Sequence, residues 1–479
     1  MNERLIQARM PYVSTVQGDA STRRMVRSLG SARIVVILGA IAYTASFQWA
    51  YSMILTPIYG YEGFRYRGDS TLISATWLLA ILPSFWMPRR LTRPSQLAYW
   101  FFYLIVVVPV TIVTIHSSPG DARGGLRTAL WIVSAFAALG LTYTVPLGTI
   151  RHNRFQPTEW WTGVLIFTTL SYGLIFFTFG LPLHLPPLSD VYLIRSEYSN
   201  TLENTNVYIS YAVDWQAYIL NPLLIILGSI SHRKLVVVMG IIGQLVIYSV
   251  TGFRAVLFST SVLFLLLIVC RSFGRFGIRM LFCLTGAVAG ATALYSWVGS
   301  LSLGSLIVER LTGIPGLLTG FYFSFFGSHP KMMLSHSIFK GIVGNPYESV
   351  PPLIIGNVYF RGSGTDANAN FWADAFANFG IVGVFAFTAL LGMVLWFYDS
   401  ITLDIDLRLA ALMLAMPAVS LANGGLLTCL LMHGLGFACL LMYYLPHQIQ
   451  VPRDERSRAW QYVPARSTRL NYRGAGHPY

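Results

Sequence analysis

The apolar residues of this chain are gathered into runs of about 20 positions, the length that crosses a bilayer as one helix. We predict twelve such helices, at residues 34–56, 71–87, 97–115, 128–150, 160–181, 214–230, 235–250, 255–270, 280–303, 380–398, 407–422 and 426–445. The pairs that meet at 251–254 and at 423–425 could each be one bent helix, which would reduce the count to ten or eleven. The pattern therefore predicts an all-α polytopic membrane protein of about twelve transmembrane helices.

Composition supports one membrane domain over a set of soluble domains. Hydrophobic residues make up 54% of the 479 residues and charged residues only 11%, whereas soluble domains carry about 25% charged residues. We predict a polytopic domain at residues 34–445, after a cytoplasmic segment at 1–33 and before a basic cytoplasmic tail at 446–479. The tail is expected to lie on anionic lipid headgroups.

Basic residues set the orientation, because Lys and Arg beside helix ends stay in the cytoplasm. One side of the predicted bundle carries most of them, in the clusters Arg23–Arg33, Arg89–Arg93, Arg151–Arg154, Arg233–Lys234, Arg271–Arg279, Arg408 and Arg453–Arg458. The short loops of the other side carry only Arg65, Arg67, Arg123, Arg127, Arg195 and Arg254. We therefore expect both termini in the cytoplasm, and we call the two sides the predicted inner face and the predicted outer face.

Several function classes are disfavoured by the sequence. The net charge of +14 does not indicate a nucleic-acid partner, because the basic residues flank helices without an aromatic-basic module. The four cysteines, which we interpret as core residues, lack metal-ligand spacing, and no P-loop, zinc-protease, Gly-x-Ser-x-Gly or dinucleotide motif occurs, so we predict neither a metal nor a cofactor. Charged residues are almost absent from the predicted helix midpoints, which argues against a transporter.

Two loops of the predicted outer face, residues 182–213 and 304–379, are too long to be turns. The second has apolar stretches of its own, so we expect a partly helical, folded element, and long loops of that kind are usually functional. Its residues 309–336 contain the basic residues Arg310, Lys331 and His336. They also contain a cluster of five aromatic residues, Phe321, Tyr322, Phe323, Phe325 and Phe326. This stretch could lie in the headgroup region as an aromatic belt, or it could bind sugar rings or a lipid carrier.

The end of this loop, GTDANANFWADAFANFGIVG at residues 364–383, carries Asp or Asn at every fourth position. If the segment is helical, that spacing aligns the four side chains on one face, where they could hydrogen-bond sugar hydroxyls. Alternatively, the same residue types cap helices and form turns. The four residues are Asp366, Asn370, Asp374 and Asn378.

Arg254 and Arg310 are the basic residues that best suit an anionic ligand. Both belong to the predicted outer face, and two guanidinium groups can bind a pyrophosphate through paired hydrogen bonds. Alternatively, each arginine could simply place its guanidinium group at the membrane surface without binding a ligand. Lys331 is a weaker third candidate.

Three stretches of the second loop, HPKMMLSHSIFKGI, NPYESVPPLIIGNVYF and NANFWADAFANFGIVGVF, resemble the outer-loop region of bacterial O-antigen polymerases of the Wzy type. The order of the parts matches as well: a stretch that begins with an arginine, an aromatic segment, a Leu-Ser-His-Ser turn and an Asn-rich run into a helix. The resemblance covers Arg254 and residues 310–383. Elsewhere only the many-helix pattern agrees.

The resemblance implies a membrane glycosyltransferase of the bacterial inner membrane that joins oligosaccharide repeat units carried on undecaprenyl diphosphate. The product would be a lipopolysaccharide O antigen, a capsule or an exopolysaccharide, and a chain-length regulator would be a further partner beside membrane lipid. Arg254, Arg310 and Lys331 would hold the diphosphate, and Tyr322, Asn370 and Asn378 would contact the substrate. Asp366 or Asp374 would orient or deprotonate the acceptor hydroxyl, with His336 as the reserve.

Two other functions stay open from the sequence. An O-antigen ligase would usually place a histidine in a Gly-Thr-Ser-His-Asn stretch, whereas this chain has GTDANAN with Asp366 and no histidine. A flippase for lipid-linked oligosaccharides would be expected to show inverted repeats and charged residues in a central cavity, and the sequence shows neither.

We predict that a reporter fused after Tyr479 will be cytoplasmic and that one inserted near Gly344 will be external, because the basic residues favour that orientation. Fusions that report accessibility from each side of the membrane measure this directly. A cytoplasmic signal at Gly344 would overturn the orientation.

Overall fold

The structure is a computed structural model that describes residues 16–446 except 68, 151–153, 183–184, 188–189, 204, 338, 341 and 363, with side chains from Arg33 onward. Residues 1–15 and 447–479, which hold parts of the two predicted cytoplasmic segments, lie outside the described residues. Within those residues there is no β-strand, and nine helices are long and apolar enough to cross a membrane, with three shorter apolar helices beside them. The protein is therefore an all-helical, multi-pass membrane protein.

In chain order the helices are α1 (Arg33–Ile58, the apolar part of a helix that begins at Val16), α2 (Ser70–Phe85), α3 (Gln96–Ser117), α4 (Ala122–Thr144), α5 (Pro157–Phe179), α6 (Val191–Glu203), α7 (Val207–Ile230), α8 (Lys234–Thr251), α9 (Arg254–Val269), α10 (Phe273–Val298), α11 (Gly304–Gly313 with Ile314–Ser328), α12 (Pro351–Tyr359), α13 (Phe371–Ile401), α14 (Leu407–Leu421) and α15 (Leu426–Tyr443). The three shorter apolar helices are α2, α9 and α14, and α6, α11 and α12 lie in the two long loops of the predicted outer face.

The nine long and three shorter apolar helices coincide with the twelve predicted ranges, and the largest differences lie at helix starts. α4 begins at Ala122 rather than near residue 128, because the Asp121 side chain accepts a hydrogen bond from the Gly124 N–H. α7 begins at Val207 rather than at residue 214, because the Asn206 side chain accepts one from the Tyr208 N–H. Both are polar caps that start a helix before its apolar run.

Helix α3 forms the centre of the helical body. Its apolar length is buried throughout, and it packs against α2, α4 and α11. The ring of Tyr99 on α3 stacks on Phe136 of α4 with centroids 4.1 Å apart. By contrast, α5 lies at the edge and buries only Trp160, Val164, Ser171 and Ile175, so most of its apolar surface is available to lipid.

In the part of the chain that the structure describes, four wide π-helical segments interrupt the helices, and a proline is the second residue after each of them. The segments are Tyr51–Leu55, Tyr103–Val107, Gln216–Leu220 and Gly304–Gly313, and the prolines are Pro57, Pro109, Pro222 and Pro315. A proline has no N–H for the carbonyl four residues before it, and its ring collides with that carbonyl. The wider turn relieves this collision, and π segments are frequent at functional sites.

Helix α13 is a hairpin rather than one straight span. Its backbone leaves the helix at Phe379 and Gly380, where Gly380 has a φ of 62°, a conformation that favours glycine. The Trp372 Nε1–H donates to Thr388 Oγ1 at 2.9 Å, so the halves before and after this turn lie side by side. The second half corresponds to the predicted span 380–398, and the first half is an additional short helix.

The prediction that Asp366, Asn370, Asp374 and Asn378 share one helical face is therefore wrong. The Asn370 side chain caps α13 by accepting hydrogen bonds from the Trp372 and Ala373 N–H groups, and Asp366 precedes the helix. Asx side chains compete with the helix for backbone donors, and here capping prevails.

The headgroup interpretation of residues 309–336 is also wrong, because α11 belongs to the protein interior. A Cβ at Gly316 would lie 2.9 Å from the Pro109 carbonyl oxygen of α3, which leaves no room for lipid between the two helices. The buried rings of this stretch are Phe321, Tyr322, Phe323 and Phe326. Packing inside the protein therefore accounts for most of the aromatic cluster.

We predict that Gly383→Ala destabilises the protein by forcing the two halves of α13 apart. A Cβ at position 383 would lie 2.4 Å from the Ala375 carbonyl oxygen, and overpacking of this kind costs about 1–3 kcal/mol. The thermal unfolding midpoint in detergent should fall below that of the wild type. The control is Gly290→Ala in α10, where a Cβ meets nothing within 4 Å; equal midpoints for the two variants would contradict the close contact.

Candidate functional site

The π segment at the start of α11 carries an adjacent acid and base, Glu309 and Arg310. Glu309 is only 1% exposed, whereas the Arg310 side chain is 58% exposed. The Arg310 Nε lies 2.7 Å from Glu309 Oε1, and the Ser305 hydroxyl donates to Glu309 Oε2 at 2.9 Å. The buried carboxyl therefore holds one edge of a guanidinium group that still reaches solvent.

Two further charges, Glu62 and Arg254, act on this pair. Burial raises the pKa of Glu309 from 4.5 to about 7, a change that Glu62 reinforces and that Arg310 and Arg254 oppose. Burial also raises the pKa of Glu62, and Arg310 opposes this change as well. The two predicted ligand-binding arginines thus act on the same buried carboxyl, so the structure brings Arg254 and Arg310 into one electrostatic cluster.

Helix α6 lies over the turn between α8 and α9 and adds a third arginine. The Arg195 guanidinium of α6 lies 5.4 Å from the ring centroid of Phe253, and the Arg254 guanidinium lies 5.5 Å from that of Tyr192. Gly252 makes this approach feasible, because it has a φ of 65° and a Cβ there would lie 2.9 Å from the Val191 carbonyl oxygen. The sequence placed Arg195 on the predicted outer face without assigning it to the site.

No protein-family model, curated protein or solved structure matches this chain. The site is therefore interpreted from its own chemistry. Three guanidinium groups, two of them on exposed residues, provide charge-assisted donors for an anion of several oxygens such as a diphosphate.

Three of the predicted substrate-binding residues are used inside the protein. Asn370 is fully buried, and besides capping α13 it donates to Thr319 Oγ1 at 2.7 Å. Asn378 accepts a hydrogen bond from the Leu334 N–H and donates to the Asp374 carbonyl. The Tyr322 hydroxyl donates to the Ala367 carbonyl. We therefore interpret all three as residues that hold the loop and the hairpin in place.

Lys331 lies against the tip of the α13 hairpin, with its Nζ 5.0 Å from the ring centroid of Phe376. Burial lowers its pKa. Because its side chain packs on the hairpin rather than beside Glu309, we interpret it as a support of the tip.

The three predicted catalytic residues have different surroundings. Asp366 is exposed and accepts a hydrogen bond from the Asn368 amide. Asp374 is half-buried and rests against Gly425, where a Cβ would lie 2.6 Å from its Oδ2. His336 lines an open cleft of about 370 Å³ together with Lys340, Asn345 and Glu348, and burial lowers its pKa.

The structure also shows ionisable groups within the spans that sequence reasoning missed. Asp214 of α7 is 8% exposed, and its Oδ2 lies 3.8 Å from His433 Nε2 of α15. Asp214 lies in the first third of α7, so it does not contradict the expectation that charged residues are almost absent from the predicted helix midpoints. A lone acid or histidine in an apolar run is the signal that could have identified Asp214 and His433.

We predict that the stability of the wild type decreases as the pH rises from about 5 to 8, and that Glu309→Gln removes part of this decrease. Because burial raises the pKa of Glu309 to about 7, the stabilisation is complete below the ordinary value of 4.5 and is lost as the pH rises through 7. One pKa unit corresponds to about 1.4 kcal/mol, so the loss is at most about 3.5 kcal/mol.

Unfolding midpoints at several pH values measure this effect. The matched control is Glu348→Gln, an exposed glutamate of the same loop, which should follow the wild-type curve. A Glu309→Gln curve parallel to that of the wild type would contradict the assignment.

Proposed function

We propose that this protein polymerises oligosaccharide repeat units carried on undecaprenyl diphosphate into a surface polysaccharide, at the outer leaflet of a bacterial inner membrane. The observation that carries the proposal is the cluster of Arg254, Arg310 and Glu309 within a multi-pass membrane protein. An arginine cluster beside lipid-exposed helices suits an anionic headgroup on a long hydrocarbon chain. The resemblance of residues 310–383 to Wzy-type polymerases supports the same substrate.

The reaction needs little beyond charge and positioning from the protein. The anomeric carbon of the donor already carries a diphosphate, so the leaving group is good and no nucleotide is required. The protein must stabilise the negative charge that develops on the leaving diphosphate and hold the acceptor hydroxyl in line with the anomeric carbon. Arg254 and Arg310 perform the first task in this proposal, and Arg195 adds positive charge on the side of α6.

Glu309 has a positioning role in this site. A buried carboxylate that binds the Arg310 Nε at 2.7 Å leaves the terminal nitrogens of the guanidinium free to turn outward. Those two nitrogens form the planar fork that binds two oxygens of a phosphate. The acid therefore sets the direction in which Arg310 presents its donors.

A lipid-linked oligosaccharide transporter is the second candidate, and the groups within the spans favour it. Asp214, Asp374 and His433 lie in or beside broken helices, an arrangement that transporters use for coupled ions. The large folded loop and the arginine cluster have no obvious task in transport, so we rank polymerisation first. An O-antigen ligase shares the donor chemistry and differs only in the acceptor.

We predict that deleting the gene leaves surface glycans of one repeat unit instead of a ladder, and that wild-type protein restores the ladder. Arg254→Ala and Arg310→Ala should each slow polymerisation about 10- to 150-fold, because each removes a hydrogen bond to a charged group worth about 1.5–3 kcal/mol. Lys at either position should rescue poorly, since it lacks the planar fork. The measurement is polymer length per unit time in membranes that contain equal amounts of each variant.

The matched control is Arg65→Ala on the same face. The Arg65 side chain is exposed and its backbone N–H binds Ser117, so this variant should polymerise normally. Full-length polymer at the normal rate from both Arg254→Ala and Arg310→Ala would refute the diphosphate site. Loss of all surface glycan, with lipid-linked units accumulating inside the cell, would favour the transporter. Full-length polymer that is made but not transferred to its final acceptor would favour the ligase.

A further inference from the structure

Helix α15 is broken at His433 and Gly434, within a membrane span. Gly434 has a φ of 82°, and a Cβ at this position would lie 2.3 Å from Ile219 Cγ1 of α7. Both the backbone conformation and the close packing require glycine. Backbone outside a helix at membrane depth is tolerated where it is buried in protein or lines a cavity, so the break is held firmly against α7.

The break places His433 between an acid and a thiol. Its Nδ1 lies 3.4 Å from Cys429 Sγ, within hydrogen-bond distance for sulfur. Its Nε2 lies 3.8 Å from Asp214 Oδ2, which is too long for a direct hydrogen bond. An oxygen atom about 2.8 Å from each of these two atoms would lie beside the line that joins them, so one hydroxyl group that approaches from the side can hydrogen-bond both atoms.

Neither Asp214 nor His433 is explained by ordinary packing. A buried carboxyl without a close donor is costly, and the contact with His433 is the nearest ionisable partner described for Asp214. Close by on the same helix, Gln216 is fully buried and both of its amide atoms lack a hydrogen-bond partner among the described residues. The polar groups at this junction of α7 and α15 therefore have unused hydrogen-bonding capacity.

Aromatic side chains connect this junction to the arginine cluster. The Tyr198 ring of α6 packs on Phe253 with centroids 5.5 Å apart, and the Arg195 guanidinium lies 5.4 Å from the centroid of the same Phe253 ring. Tyr198 and Tyr218 both lie within electrostatic reach of Asp214, and Tyr218 within that of Arg195. The arginine cluster and the junction of Asp214 with His433 are therefore neighbours in the structure.

We propose that Asp214 and His433 form the acid–base centre of the reaction and bind the acceptor sugar hydroxyl between them. The hydroxyl oxygen attacks the anomeric carbon of the donor, and the bond from that carbon to the diphosphate breaks with its electron pair leaving on the diphosphate. The proton of the hydroxyl passes to the Asp214–His433 pair and is later released to water. This assignment rests on the proposed polymerase function, and it replaces Asp366, Asp374 and His336 in the role of base.

The test uses spheroplasts of the deletion strain, whose accumulated lipid-linked repeat units serve as substrate, and measures polymer length against external pH. Asp214→Asn and His433→Gln should each slow joining about 10²- to 10⁴-fold, the usual contribution of a general base, and should remove the acid limb of the pH profile. Added imidazole should partly restore His433→Ala but not Asp214→Asn. The ionisable groups that face His433 in this experiment are Cys429, Asp214, Tyr218, Tyr198, Arg195 and Asp374.

The control is Asp69→Asn, an exposed acid that caps α2 on the predicted outer face, which should keep the wild-type rate and profile. Wild-type rate and pH profile in both Asp214→Asn and His433→Gln would overturn the proposal. If neither variant accumulates in the membrane, the pH profile of the wild-type joining rate is the test. A wild-type rate that is independent of pH between roughly 5 and 9 excludes a carboxyl–imidazole base. Failure of the wild-type gene to restore a ladder would instead refute the polymerase function itself.

Discussion

Inside a membrane protein, a backbone group that leaves its helix finds no water, so each break in a helix must supply its own hydrogen-bond partners. At the tip of α13 this task falls to Asn378, whose amide accepts from the Leu334 N–H and donates to the Asp374 carbonyl. Beside it, the Met332 and Met333 N–H groups donate to the carbonyls of Ala377 and Asn378. These bonds fix the hairpin, and the hairpin in turn fixes Asp374 and the loop that leads into α13.

The helices could be predicted from the sequence because their signal is local. A run of apolar residues identifies a span, and only a polar cap such as Asp121 shifts its start. The hairpin of α13 could not be predicted in this way, because the span was predicted to begin at residue 380, and the turn that folds Phe371–Asn378 back on it depends on Gly380 and on contacts with Leu334. Asp and Asn at every fourth position gave a helical signal that the cap at Asn370 overrides.

Half of the candidate site was accessible to sequence reasoning and half was not. Arg254 and Arg310 were identified as arginines of the predicted outer face, and the structure places Arg310 against Glu309 and Arg254 within electrostatic range of the same carboxyl. That buried acid could not be recognised, since its burial depends on how the π segment before Pro315 packs. Seven helices, α8 to α14, separate Asp214 from His433 along the chain, so their proximity follows only from the packing of α7 against the break in α15.

The hairpin has a consequence for the order of membrane assembly. Its first half, Phe371–Asn378, spans only about 12 Å at 1.5 Å per residue, less than half of a hydrocarbon core of about 30 Å. The insertion machinery therefore cannot treat it as a span when it leaves the ribosome, and it can dock only after the second half has been synthesised and inserted. Until then, the surfaces of Phe102 and Phe136 that Trp372 covers stay open to lipid. Early helices of this protein thus complete their packing late in translation.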